Sequence, residues 1–265
     1  MQASDIFTLL SSHALLVGLA TTRIAVAFLV LPVFTNELIP ALVRNAIFVA
    51  FALIVIVIQP PLPVAALNVQ DWIAMFFKEA VVGVAIGVLF GIFLWAFEAA
   101  GQVIDTQIGA TVAQVTDPLS GQQTSLTGAF LGRLANYVFM AAGGLMLLMG
   151  VLIESFALWP IGQPLPDLAQ AGVKLFTAEF SNFLRLTLLI AAPMLVVLFI
   201  IDSVLGLVNR YAQQLNVFFL SMSLKALASV AILLIMVTFL VQLLIDELLR
   251  RHDSVPAALR GLLGG

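Results

Sequence analysis

The stretch Val81-Val82-Gly83-Val84-Ala85-Ile86-Gly87-Val88-Leu89-Phe90-Gly91-Ile92-Phe93-Leu94 is apolar throughout and carries glycine at 83, 87 and 91. Residues four apart share one face of a helix. Glycines on that face let a second helix backbone approach closely, a contact that replaces the hydrophobic drive lipid cannot supply. The stretch therefore reads as a membrane helix shaped to touch another helix, in the same chain or in a neighbouring subunit. Glu98, seven residues beyond Gly91, falls near the same face and is expected to point into protein or water rather than lipid.

Composition extends that reading to the whole chain. Hydrophobic residues make up 62% of the 265 and charged residues 9%, against roughly 25% charged in soluble domains. This is the composition of an integral membrane protein. A net charge of −3 argues for no nucleic-acid partner. With no cysteine, disulfides, iron–sulfur clusters and thiol catalysis are excluded, and the two histidines, His13 and His252, stand near opposite ends. A metal site would need carboxylates alone, and none is expected. No basic region precedes the first apolar run and Arg23 interrupts it, so a cleaved signal peptide is not expected.

A spanning helix needs about 20 apolar residues, and at that scale the chain divides into about six long apolar segments: 6–34, 41–58, 72–99, 129–153, 183–207 and 215–249. The expected fold is an all-α, polytopic helical bundle arranged in hairpins. Asn36, Glu37 and Pro40, then the Gln59-Pro60-Pro61-Leu62-Pro63 run, then residues 159–167 supply the breakers between segments. The short stretch 209–214 makes the last two segments an antiparallel hairpin. Pro32 and Pro193 are expected to kink or break their helices unless neighbours satisfy the freed carbonyls.

Charges inside these segments each cost roughly 2.5–3.5 kcal/mol at a helix centre. Arg23, Arg44, Lys78, Glu79, Arg133, Arg185, Asp202 and Lys225 are so placed, and most should be paired or face a wet interior. Lys78 and Glu79, adjacent on a helix, point in different directions and are expected to need separate partners or to lie near the interface. Asp202 and Lys225 stand at similar distances from the hairpin turn and are expected to pair across it. Arg250, Arg251 and Arg260 favour a cytoplasmic carboxy terminus, although the proline-rich 59–71 connection on the same side has no Lys or Arg.

One polar stretch, 101–128, lies between the third and fourth segments. It is rich in Gln, Thr and Ser, with Asp105 and Asp117 as its only charges, and Asp117-Pro118 with Ser120-Gly121 gives it turn chemistry. A loop of this length is functional or a solvated connector. No phosphate loop, nucleophile elbow, zinc motif or dinucleotide fingerprint occurs anywhere in the chain. No catalytic, cofactor-binding or metal residue is assigned, and the protein is read as a non-enzyme.

Two stretches carry a specific resemblance: Asp117-Pro118-Leu119-Ser120-Gly121-Gln122-Gln123-Thr124-Ser125, and Asn209-Arg210-Tyr211-Ala212-Gln213-Gln214-Leu215-Asn216-Val217-Phe218-Phe219-Leu220-Ser221-Met222-Ser223-Leu224-Lys225. With Arg44-Asn45 and Lys78-Glu79, they resemble the SctT/FliR family of type III secretion export-apparatus subunits over nearly the whole chain. Phe219-Leu220-Ser221-Met222 with Lys225 is more similar to the virulence injectisome branch than to the flagellar branch. Gln213 and Ser223 depart from the family pattern, where proline is frequent, and free a backbone N–H at the turn.

The resemblance implies a bacterial inner-membrane subunit, without cofactor, of a hetero-oligomeric helical export gate that passes unfolded effector or needle proteins. Its implied partners are SctR/FliP-type, SctS/FliQ-type and SctU/FlhB-type subunits, exported chains and membrane lipid. Residues 1–182 are similar to the SctR/FliP-type partner, 183–249 to the SctS/FliQ-type hairpin, and 250–265 form a basic tail. The family's channel plug falls by match on 109–125, with Gly109, Thr111, Gln114, Thr116, Asp117, Pro118, Gly121, Gln122 and Gln123. Gly83, Gly87 and Gly91 are then the helix-packing face, and Asp202, Arg210, Asn216 and Lys225 order the hairpin turn and assembly. A flagellar export subunit and, from another class, a small-solute transporter or channel are the alternatives.

Overall fold

A computed structural model describes residues 3–33, 40–60, 67–109, 125–164, 171–211 and 217–263. Those residues are helical apart from short turns and contain no strand. The helices are α1 (Ala3–Val30), α2 (Ala41–Ile58), α3 (Val69–Ile108), α4 (Leu126–Ala141), α5 (Gly144–Leu158), α6 (Ala171–Tyr211) and α7 (Val217–Leu263). Four of them, α2, α3, α6 and α7, are long and apolar enough to cross a membrane, and the broken pair α4 and α5 would make a fifth.

Two expectations are corrected. The segment 129–153 is two helices rather than one, because Gly143 takes a left-handed conformation with φ +83° at the start of α5. Glycine adopts this conformation freely, whereas a side chain would be strained there. The polar stretch is shorter than 101–128: α3 continues to Ile108 and α4 begins at Leu126, so only 110–124 remains outside the described residues. Pro32 stands just past the end of α1, whereas α6 runs through Pro193, and the described residues 250–263 continue α7 as helix.

The chain forms two compact units. The first holds residues 1–91, 143–179 and 250–265, and the second holds 92–142 and 180–249. In the first unit, α1 is the central element, with Leu19, Ala20, Ile24, Ala27 and Phe28 fully or almost fully buried. Its Phe28 ring meets Phe48 of α2 at 5.1 Å between centroids. Only Phe48, Ala52 and Val55 of α2 are buried, so most of that helix presents apolar side chains outward, as a lipid- or subunit-facing helix does.

The same unit shows what the glycine face does. A Cβ on Gly83 would come within 2.6 Å of the Arg23 carbonyl oxygen, and one on Gly87 within 2.8 Å of the Ala27 oxygen and of Val30 Cβ. Both glycines are thus places where α3 lies against α1 with no room for a side chain. Gly91, one turn further, is also buried.

In the second unit, Phe93, Phe97 and Ile104 of α3, Leu131, Ala135 and Phe139 of α4, Leu186, Ile190 and Met194 of α6, and Leu240 and Leu244 of α7 form the core. Phe93 and Phe139 meet at 6.2 Å. Asn182 donates to Glu247 Oε1 at 2.8 Å, bringing the hairpin helices α6 and α7 together far from their turn.

Candidate functional site

The described residues on either side of 110–124 are fastened together in the second unit. Ser125 is the N-cap of α4, its hydroxyl accepting from Gly128 N at 2.9 Å. This satisfies one of the free donors at a helix start. The same hydroxyl donates to Asp105 Oδ2 on α3 at 2.6 Å, and Thr127 donates to Asp105 through both its backbone N, at 2.9 Å, and its hydroxyl. Asp105 is 4% exposed, so its carboxylate relies on these donors and on the positive end of α4 in place of water. One turn earlier on α3, Gly101 touches the backbone of Gly128 so closely that neither position has space for a side chain.

The outgoing end of α3 is held by the hairpin. Lys225 Nζ donates to the Gln107 carbonyl at 2.9 Å, supplying a partner for one of the last carbonyls of the helix. The same ammonium lies 3.0 Å from Asp202 Oδ1, joining α7 to α6. Gln107 Nε2 is 3.4 Å from Asp202 Oδ2. Gly109 then ends the helix with φ +86°, beside Met222, the left-handed C-terminal position that glycine fills best. The structure therefore brings Gly109, Asp202 and Lys225 to one place. Arg210 is exposed in the last turn of α6. Thr111, Gln114, Thr116, Asp117, Pro118, Gly121, Gln122, Gln123 and Asn216 lie outside the described residues.

Sequence reasoning placed Gly101, Asp105, Gln107 and Gly128 only within the polar stretch and Ser125 at the end of the plug match, and gave none of them a part in anchoring it. A serine just before an apolar run is an N-cap signal that points to Ser125. Nothing in the pattern pairs it with a carboxylate twenty positions earlier.

A second polar cluster is sealed in the first unit. Arg23 and Glu79 are 0% exposed and meet side to side, Nε to Oε2 at 2.6 Å and Nη2 to Oε1 at 3.0 Å. Such forked pairing is the strong geometry for arginine with a carboxylate. Arg23 also donates to Ser155 Oγ and to the Trp159 carbonyl, and its guanidinium sits 3.8 Å over the Phe156 ring.

Lys78 is not separate from this pair, contrary to the expectation from helix geometry. Its four-carbon stem bends back so that Nζ lies 2.9 Å from Glu79 Oε1. It donates as well to the carbonyls of Pro160, Ile161 and Gln163. Gln59 closes the turn from the other side, donating to the Phe156 carbonyl and accepting from Ile161 N. Arg251 is buried as well, bonded to Glu179 and the Leu89 carbonyl. It is thus a structural cation and not a free loop charge of the kind that sets topology. Among the described residues no group of acids or histidines is placed to hold a metal ion.

Comparison with known proteins agrees with this architecture. Residues 14–250 match the family described as Bacterial export proteins, family 1. The chain is 33% identical over 217 residues to Yop proteins translocation protein T of Yersinia pestis, covering 80% of this chain and 82% of that one. It is 33% identical over 238 residues to Surface presentation of antigens protein SpaR of Salmonella typhimurium, covering 88% and 86%. To Flagellar biosynthetic protein FliR of Bacillus subtilis it is 30% identical over 217 residues, covering 80% and 82%. With a family match across nearly its whole length and relatives of matching extent, this chain belongs to family 1 of the bacterial export proteins.

Proposed function

We propose that this protein is a structural and gating subunit of the inner-membrane channel of a type III protein secretion system, and that residues 109–125 close the channel. The observation that supports the gating role is the anchorage of the loop: both ends are tied, to each other through Asp105 and to the hairpin through Lys225. A closure element needs fixed ends. A middle built of Gln, Thr, Ser and small residues can occlude a pore without binding unfolded, chemically varied cargo of either charge.

The chain works beside other export-apparatus subunits, in this reading of SctR/FliP, SctS/FliQ and SctU/FlhB type, and performs no catalysis itself. Its relatives are named for injectisome and flagellar systems. The Phe219-Leu220-Ser221-Met222 stretch with Lys225 favours the injectisome. An in-frame deletion in the host, scored for effector proteins in the medium and for swimming, tests the reading. Lost secretion with intact swimming is expected. Lost swimming would move the protein to the flagellar branch, and no change in either would end the export assignment.

A further inference from the structure

Helix α4 carries two seams. One is buried and built from Gly128, Leu131, Ala135, Val138 and Phe139. The other runs Leu126, Phe130, Arg133, Tyr137, Met140, with alternating spacings of four and three, the repeat by which one helix receives the side chains of another. Every member of this second seam is exposed, Leu126 at 82% and Tyr137 at 73%.

Arg133 stands at its middle. Among the described residues no carboxylate lies within ion-pair distance of it, in contrast with Arg23, Lys78, Lys225 and Arg251. A guanidinium centred in an apolar stripe on an apolar helix calls for an anion from outside the unit. Beside the stripe, Leu126 and Phe130 of α4 and Val230 and Leu234 of α7 border an open groove of about 310 Å³, which can receive apolar side chains.

We propose that this seam is the docking surface for a helix of a neighbouring export subunit that presents a carboxylate to Arg133. The inference rests on the reading that the chain sits among other export subunits. A phospholipid phosphate would also meet the charge. Acyl chains, however, have no use for a four-three repeat, whereas a partner helix does. The seam's Phe, Tyr, Met and Arg are the residue types enriched in the cores of protein interfaces.

The test uses the full chain in its host with Tyr137→p-benzoylphenylalanine and photocrosslinking. The expected result is an adduct with a different export subunit, reduced at least tenfold by Arg133→Glu and retained in Arg133→Lys. It should also be retained in Glu98→Gln, which removes the carboxylate lying along Gly132 in the same unit. If Arg133→Glu lowers the membrane level of the chain, Arg133→Gln is read instead, with at least a threefold loss expected. An adduct confined to a second copy, to the chain's own 110–124 loop or to lipid would overturn the inference, as would one insensitive to the Arg133 variants or lost in Glu98→Gln. Any of these with secretion abolished by the gene deletion would leave the export reading standing. Secretion surviving the deletion would remove both.

Discussion

Replacing Glu79 by glutamine keeps the size of the side chain and removes its charge, so the outcome isolates what the carboxylate does in the sealed cluster. In the native protein it faces two cations, Arg23 at 2.6 and 3.0 Å and Lys78 at 2.9 Å. Without it, two positive charges remain in a site closed to water. Arg23 keeps Ser155, the Trp159 carbonyl and the Phe156 face, and Lys78 keeps three carbonyls, but none of these carries a negative charge. Breaking a buried pair by removing one partner costs about 3–5 kcal/mol. At about 2–4 °C per kcal/mol for a chain of this size class, the melting temperature should fall by roughly 6–20 °C. The assay is the monodisperse fraction of detergent-purified chain after heating, compared with wild type. Arg23→Met combined with Glu79→Leu removes the pair together and should fall less than Glu79→Gln alone. A Glu79→Gln protein melting within about 2 °C of wild type would refute the view that this carboxylate holds the first unit together, since a countercharge worth 3–5 kcal/mol cannot vanish so quietly.

Three further outcomes follow from the same geometry. Gly87→Val should push α3 off α1, costing about 1–3 kcal/mol or more by overpacking, and should deplete the chain from membranes on immunoblots, with Gly83→Val doing the same. Asp105→Ala leaves Ser125 and Thr127 without their shared acceptor, a loss of about 1.5–3 kcal/mol for hydrogen bonds to a charged group. Proteolysis within 110–124 in isolated membranes should then become faster, and an unchanged rate would count against the clamp. Lys225→Met removes the donor from the Gln107 carbonyl, worth about 1 kcal/mol, while the half-exposed Asp202 adds little of its own. It should raise resting solute leakage through assembled complexes without lowering their number.

The membrane class and the helix-contact role of the third segment were legible in the sequence because both depend on one-dimensional patterns, apolar run length and a four-residue glycine spacing. The pairing of Asp202 with Lys225 was legible as well, since equal distance from a hairpin turn places two residues side by side. What remained hidden depends on three dimensions. Lys78 and Glu79 converge because a long side chain overcomes the angular separation of adjacent positions, and the carbonyls that complete the site come from the turn at 160–163. Asp105 read as a loop residue, when it belongs to the last turns of α3 and caps α4. The break at Gly143 is a local backbone choice inside an unbroken apolar run, and hydropathy alone does not register it.

The most direct measurement of the central claim is deletion of residues 112–124, leaving the Asp105 clamp and the Lys225 contact in place, with complex assembly and small-solute permeability read in the same cells. The account predicts complexes at wild-type abundance and a membrane that leaks. Complexes at wild-type abundance in a membrane that stays tight would contradict it.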